Sequence, residues 1–293
     1  MALDIAPIDG KFAYEVRGLQ LWQPLTPDLA EQIARIWSTQ GVLVFRRQAL
    51  SEAELVAFSR HFGTPHVIVR TDWQSRNEPE VLHISNMRNQ AGDPIGAAGS
   101  GELDWHTDQS YVLDPATGSI LYMVEMPKDG GATYWANLQD AYDALPAAMR
   151  DRIEGLHAVY DYLKRQSTFD QEKPMSAELR AKTPPVVHPL VTRHPVTGRK
   201  ALYLDPTTST GILEMPGAGG DRLLAELNAH ATRPDFVYRH DWQIGDVVMW
   251  DNGLLLHRRD PFDSSQNRLL KRTTLKLSPQ RHIVPQVALH KAA

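Results

Sequence analysis

The chain of 293 residues contains no cysteine. Disulfides, zinc fingers, iron–sulfur clusters and thiol catalysis are excluded together. A metal site can draw only on histidine, aspartate and glutamate. The absence fits a reducing compartment. Long apolar runs are also missing. Gly-Val-Leu-Val-Phe at 41–45 and Val-Val-Met-Trp at 247–250 are far too short to span a bilayer. Residues 1–10 lack a basic start followed by an apolar stretch, so no secretory signal is read there. A cytoplasmic protein with no membrane partner is expected. Nor does charge of one sign dominate. The formal net charge is −4, which makes no electrostatic case for nucleic acid.

What remains is ordinary for a globular chain. Hydrophobic residues are 42% and charged residues 23%, which argues against bulk disorder, coiled coil and collagen. One domain over 1–293 is expected, because β-sandwiches and barrels run past about 200 residues as one unit. The first 63 residues read as helix-rich. Thr26-Pro27-Asp28 is a helix start, and Leu29, Ile33, Ile36 and Trp37 recur at helical spacing. Gly41 ends that helix, and 42–46 reads as a buried strand. Ser51 and Glu54 form a capping-box pattern for a helix reaching about His61.

From 64 to 104 the chain reads as irregular apart from a strand at 81–86. The glycine-rich stretch 88–104 is a candidate lid. Strands follow at 105–112, 117–126, 131–135, 155–162, 186–192 and 199–204, with helical turns at 137–153. A polar, proline-containing insert is expected at 163–185 and a helix at 220–231. Strands at 235–240, 246–251, 254–258 and 270–277 close the pattern, with a loose tail at 280–293. The expected class is mainly β with flanking helices, around a jelly-roll core at about 81–278.

Within that core stands Trp105-His106-Thr107-Asp108. On a strand, positions i and i+2 face the same way, so His106 and Asp108 present an imidazole and a carboxylate to one point. Chance alone supplies roughly one His-x-Asp in a chain this rich in both residues. Taken alone, the pair reads more readily as an ordinary polar pair in a strand or turn than as metal ligands. His257, after Gly253-Leu254-Leu255-Leu256, would complete a two-His-one-carboxylate triad, the pattern of non-haem Fe(II) oxygenases. Arg268 lies eleven residues beyond it and Arg272 fifteen, on one face of the last strand. Arginine suits a carboxylate held by two parallel hydrogen bonds. Thr133, after the Gly130-Gly131 turn, begins a strand where its hydroxyl could meet the same carboxylate as Arg268. Arg258 and Arg259 are adjacent, so one is expected to face solvent.

Together and in order, these elements resemble the Fe(II)/2-oxoglutarate dioxygenases of the taurine dioxygenase and 2,4-dichlorophenoxyacetate dioxygenase family. The resemblance spans about 14–278. It includes Val16-Arg17-Gly18-Leu19, Ala57-Phe58-Ser59-Arg60-His61-Phe62-Gly63, the segment 105–108, Gly130-Gly131-Ala132-Thr133, Trp250-Asp251-Asn252, and His257 with Arg268 and Arg272. Ile84-Ser85-Asn86 and Phe236-Val237-Tyr238-Arg239-His240 are similar in style to the phenoxyacetate branch.

The resemblance implies a double-stranded β-helix with a cupin-like core. It implies Fe(II) bound by His106, Asp108 and His257. Thr133 and Arg268 would hold the distal carboxylate of 2-oxoglutarate, and Arg272 would favour a negative charge on substrate or cosubstrate. It further implies that O2 and 2-oxoglutarate are consumed, giving succinate and CO2, while an unactivated C–H bond is hydroxylated. A hydroxyl placed beside an ether oxygen or a sulfonate would lead to bond cleavage. Asp108 argues against a halogenase, which needs that coordination position for halide.

Taurine-type enzymes grip the sulfonate with a His and a Tyr; Ile68 and Thr71 stand at the aligned positions, and Glu102 stands where they have Asn. A small carboxylate or sulfonate other than taurine is therefore expected, with His66 and Asn86 as further candidate pocket residues. A homo-oligomer, dimer or tetramer, remains open. The competing reading is a zinc hydrolase or lyase on the same three ligands. It would have no use for Thr133 and Arg268.

Overall fold

The computed structural model describes residues 3–8, 11–67, 73–97, 99–168 and 175–285. Its architecture follows from a two-residue alternation. In the strand Val42–Phe45, Val42 and Val44 enter one core, while Leu43 and Phe45 enter another. The strand Val247–Asp251 divides likewise, with Val248 and Trp250 against Val247 and Met249. Gly118–Glu125 places Leu121 and Met123 inward, and Ile120 and Tyr122 outward. These strands read as unbroken apolar runs because both of their faces are covered.

They belong to an eight-stranded sheet. Its order is Asp4–Ile8, Ala13–Arg17, Val42–Phe45, Val247–Asp251, Gly118–Glu125, Leu269–Lys276 and Thr64–Pro65, with Val81–Ser85 also paired to Leu269–Lys276. A four-stranded sheet faces it, in the order Val237–His240, Thr133–Asn137, Leu255–Arg259 and Leu103–His106. The core between the sheets holds Trp135, Leu255 and Trp250. The result is the expected jelly roll with flanking helices.

The outer face of the large sheet is covered by the helices Pro27–Gln40 and Glu52–Ser59, through Ile33, Trp37, Leu55 and Phe58. Both caps are as expected. Thr26 accepts from the Leu29 N–H, and Ser51 and Glu54 form the reciprocal capping box. Gly41 ends the first helix at φ 87°, and a side chain there would touch Leu255 at 3.4 Å. The helix Ala218–Ala231 buries Leu223, Leu224 and Leu227. Among the described residues no helix is long and apolar enough to cross a membrane.

Several expectations are corrected. The helix-rich start also contains two paired strands, Asp4–Ile8 and Ala13–Arg17, whose mixed polar pattern hid them. The strand expected at 105–112 is Leu103–His106, and the chain turns immediately after it. The insert expected at 163–185 contains two short helices, Tyr162–Thr168 and Ala177–Lys182. Residues 169–174 of that insert lie outside the described residues. The tail is not loose from 280: Ile283 is buried, and His282 bonds Asp251 at 2.7 Å. The final residues, 286–293, are again outside the described set. Ahead of residue 98, which lies outside the described residues, the stretch 88–104 pairs with the strand Val81–Ser85, where the Ser85 N–H donates to the Ala97 carbonyl at 2.9 Å.

Candidate metal and cosubstrate site

His106 pairs directly with His257 across the small sheet. Opposed residues share a face, so both imidazoles enter the barrel, with ring centroids 4.1 Å apart. Asp108 comes by another route than expected. It lies in the turn after the strand, next to Gln109 at φ 58°. A strand-to-turn step, not alternation along one strand, therefore brings the carboxylate round. One donor atom from each of His106, Asp108 and His257 lies within 4.8 Å of the others, and all three residues are buried.

The donor set fits a divalent metal. The His106 Nδ1–H donates to the Asp104 carbonyl at 2.7 Å, which leaves Nε2 as the free lone pair. His257 turns Nε2 toward Asp108 Oδ1 at 4.0 Å. Burial lowers the pKa of His106 to about 3, with the neighbouring His257 charge adding to the effect. Burial likewise lowers His257 to about 4. Both are neutral ligands at physiological pH. For Asp108, burial pushes the pKa up, but Arg272 and the two histidines outweigh it and hold the carboxyl below its usual range. Two neutral imidazoles and one carboxylate leave coordination positions open, as Fe(II) oxygen chemistry requires.

A hydrogen-bonded chain stands behind Asp108. Ser119 Oγ donates to Asp108 Oδ2 at 2.8 Å. Asn252 Nδ2 donates to Ser119 Oγ at 3.1 Å, and Trp250 Nε1 donates to Asn252 Oδ1 at 2.7 Å. Trp250-Asp251-Asn252, visible in the sequence, thus orients a metal ligand it does not touch. Ser119 itself was missed. Its signal was a lone hydroxyl at an inward position of an otherwise apolar strand.

The triad opens into a cavity of about 840 Å³, which Thr133, Arg268, Arg272 and Asn86 also line. Arg272 Nη1 donates to Asp108 Oδ1 at 2.9 Å. Thr133 Oγ1 accepts from Trp242 Nε1 at 2.9 Å, so its own proton is left for another acceptor. Arg268 is 2% exposed, and one Nη donates to the Gly131 carbonyl at 3.1 Å while its Nε has no partner. Asn86 accepts from the Arg268 N–H at 2.9 Å and donates to the Gln266 carbonyl at 2.8 Å. Its amide therefore braces the chain before Arg268. His66 does not line this cavity. The aligned Ile68 and Thr71 lie outside the described residues.

Two further groups reach the cavity unannounced by the sequence. The Tyr111 and Tyr162 rings lie 4.4 Å apart on its wall, and Arg165 lines it from the helix Tyr162–Thr168. Arg258 and Arg259 both line it as well. Arg259 is only 4% exposed on the inward face, whereas Arg258, on the other face, lies over the Tyr134 ring at 3.8 Å with its side chain 22% exposed, as the alternation expects.

The sequence model of the taurine catabolism dioxygenase TauD, TfdA family matches residues 4–274. The chain belongs to this family. An α-ketoglutarate-dependent 2,4-dichlorophenoxyacetate dioxygenase of Cupriavidus pinatubonensis is 35% identical over 284 residues, covering 94% of this chain and 98% of the relative. An (S)-phenoxypropionate/α-ketoglutarate dioxygenase of Sphingobium herbicidovorans is 32% identical, covering 92% and 93%. Among solved structures, AAD-2 in complex with Mn(II) and N-oxalylglycine aligns with a TM-score of 0.80 at 32% identity, covering 95% of this chain and 98% of that one. A taurine dioxygenase from Burkholderia xenovorans aligns at 0.78 and 31%, covering 97% and 94%. This family member is therefore an oxidoreductase, a 2-oxoglutarate-dependent dioxygenase whose cofactor is Fe(II) and whose cosubstrates are 2-oxoglutarate and O2. The zinc hydrolase or lyase reading is set aside.

Proposed function

We propose that this dioxygenase hydroxylates an unactivated C–H bond of a small carboxylate or sulfonate with an apolar or aromatic body. The observation that carries the reading is one cavity lined by the buried triad, by Thr133 and Arg268, and by the Tyr111–Tyr162 pair. His106, Asp108 and His257 hold Fe(II), which supplies the oxidation of 2-oxoglutarate and substrate by O2. Thr133 and Arg268 grip the distal carboxylate of 2-oxoglutarate. Arg272, fixed against Asp108, keeps the metal-side wall positive, so an anionic group is attracted there. Arg165 adds charge near both histidines. Tyr111 and Tyr162 supply the flat apolar wall for the rest of the substrate. The names of the relatives, which specify phenoxyalkanoates, support an aryloxyalkanoate-like substrate. The 293 residues then act as one dioxygenase domain in the cytoplasm, and helices Pro27–Gln40 and Ala218–Ala231 are candidate contacts in a dimer or tetramer.

The test is anaerobic. Fe(II) and then 2-oxoglutarate are added to metal-free protein while the visible spectrum is recorded. The expected result is a charge-transfer band that needs both additions and is lost in Asp108→Ala. Candidate acids are then screened for substrate-stimulated succinate. No band, together with tight Zn(II) binding, would return the hydrolase reading. Succinate formation unaffected by any carboxylate or sulfonate would refute the anionic substrate.

A further inference from the structure

Arg259 has no part in the reading so far, yet it is one of two arginines buried in the cavity wall without a counter-ion. Its neighbours in sequence and space show the contrast. Arg258 pairs with Asp260 at 2.7 Å, and Arg272 pairs with Asp108 at 2.9 Å. Arg259 and Arg268 meet no carboxylate among the described residues. Each gives one Nη to a backbone carbonyl, of Gly101 and Gly131 respectively, and each has a buried Nε with no partner. Two buried guanidiniums side by side are costly without an anion.

The sheet register says where such an anion would lie. Arg259 is two residues beyond His257 and so shares its inward face. It is the direct cross-strand partner of Thr133. Directly opposed residues hold their Cβ atoms about 5 Å apart on one face. Arg259 and Arg268 also flank the same Phe262 ring, with guanidinium carbons 5.3 and 5.6 Å from its centroid. Thr133, Arg259 and Arg268 therefore converge on one end of the cavity. A carboxylate offers about four lone-pair sites, enough for two arginines and a hydroxyl.

We propose that Arg259 is a second guanidinium of the seat for the distal carboxylate of 2-oxoglutarate. Because its Nη also holds the Gly101 carbonyl, it links that seat to the segment Gly99–Leu103, which forms part of the cavity wall. The proposal rests on the cavity being the 2-oxoglutarate site.

The experiment compares two keto acids that chelate iron alike but differ at the far end: 2-oxoglutarate, and pyruvate, which lacks the distal carboxylate. Each is titrated anaerobically into the Fe(II) protein through the charge-transfer band. In Arg259→Ala the dissociation constant for 2-oxoglutarate should rise on the order of ten- to a hundredfold, the usual loss for a buried charge-assisted hydrogen bond. Pyruvate binding should change less than about twofold. Arg259→Gln, which can still donate to the Gly101 carbonyl, should show the same split and serves where the alanine variant does not fold. If both variants keep the wild-type preference for 2-oxoglutarate while Arg268→Ala loses it, Arg259 is structural and the proposal fails alone. If the wild type shows no preference, or no band, the 2-oxoglutarate reading of the cavity fails with it.

Discussion

Ser119→Ala removes one oxygen from the layer behind the metal ligands. In the native chain Asp108 is held from two sides, by Arg272 on Oδ1 and by Ser119 on Oδ2. Without Ser119 the carboxylate keeps only the arginine and can rotate toward it, away from His257. Asn252 simultaneously loses its acceptor. A hydrogen bond to a charged group contributes about 1.5–3 kcal/mol. Partners behind metal ligands typically control affinity by about ten- to a hundredfold, the same range at about 1.4 kcal/mol per tenfold. We therefore expect the Fe(II) dissociation constant to rise by roughly that factor, with the fold intact, since serine and alanine differ by one atom on a fully packed strand. The assay is an anaerobic competition titration against a chelator of known affinity. Ser119→Thr, which keeps the hydroxyl, should recover most of the loss. An alanine variant within about twofold of wild type would refute the idea that this chain of hydrogen bonds orients Asp108.

Three other outcomes are expected. In Gly131→Ala the new methyl would stand 3.0 Å from Arg268 Nε, at φ 69° where side chains are strained; 2-oxoglutarate affinity should fall while Fe(II) affinity does not, and unchanged affinity in a spectroscopic titration would count against Arg268 as the distal clamp. Arg165→Ala should raise KM for an anionic substrate several-fold and leave the 2-oxoglutarate dissociation constant alone; the reverse pattern would move Arg165 to the cosubstrate. His188 is buried and donates Nε2–H to the Ser110 and Val112 carbonyls, and burial lowers its pKa to about 4. Its unfolded form takes a proton near pH 6.5, so the stability it protects is present above that value and is lost as pH falls from about 6.5 toward 4. In metal-free protein, His188→Gln should flatten the denaturation free energy across that window by about 1.4 kcal/mol per pH unit. An unaltered slope would refute it.

Much of this site could be read from residue order, because its signals are short-range. A helix cap, a glycine turn and an apolar strand each declare themselves within a few residues, which is why Thr26, Ser51 and the strand Val247–Asp251 fall where expected. The triad was legible as a pattern but not as geometry, since the turn at Asp108 replaces the expected strand. Ser119, Arg165 and Arg259 were not legible. Each reaches the cavity or the triad from another strand or helix, and the sequence separation of 11 residues between Ser119 and Asp108 carries no sign of contact. Arg259 was obscured further by its neighbour. Adjacent arginines read as one facing inward and one facing solvent, and their spacing does not say which: Arg259 is the inward one, while Arg258 packs on the Tyr134 ring of the other face.

The two sheets divide the work, and that division has a consequence. Both histidine ligands stand on the small sheet, and Asp108 follows directly from one of its strands. Arg272 stands on the large sheet, and Arg268 directly precedes the same strand. Thr133 and Arg259 bring the small sheet to the distal end of the cavity. The Arg272–Asp108 pair is where the large sheet meets the carboxylate of the triad. Substitutions at Arg268 or Arg259 can alter keto-acid selection without reaching the metal. A substitution at Arg272 cannot, because it releases the carboxylate that binds iron. Loss of the Arg272 charge is expected to disturb metal affinity and anion binding together, whereas each of the other arginines should disturb anion binding alone.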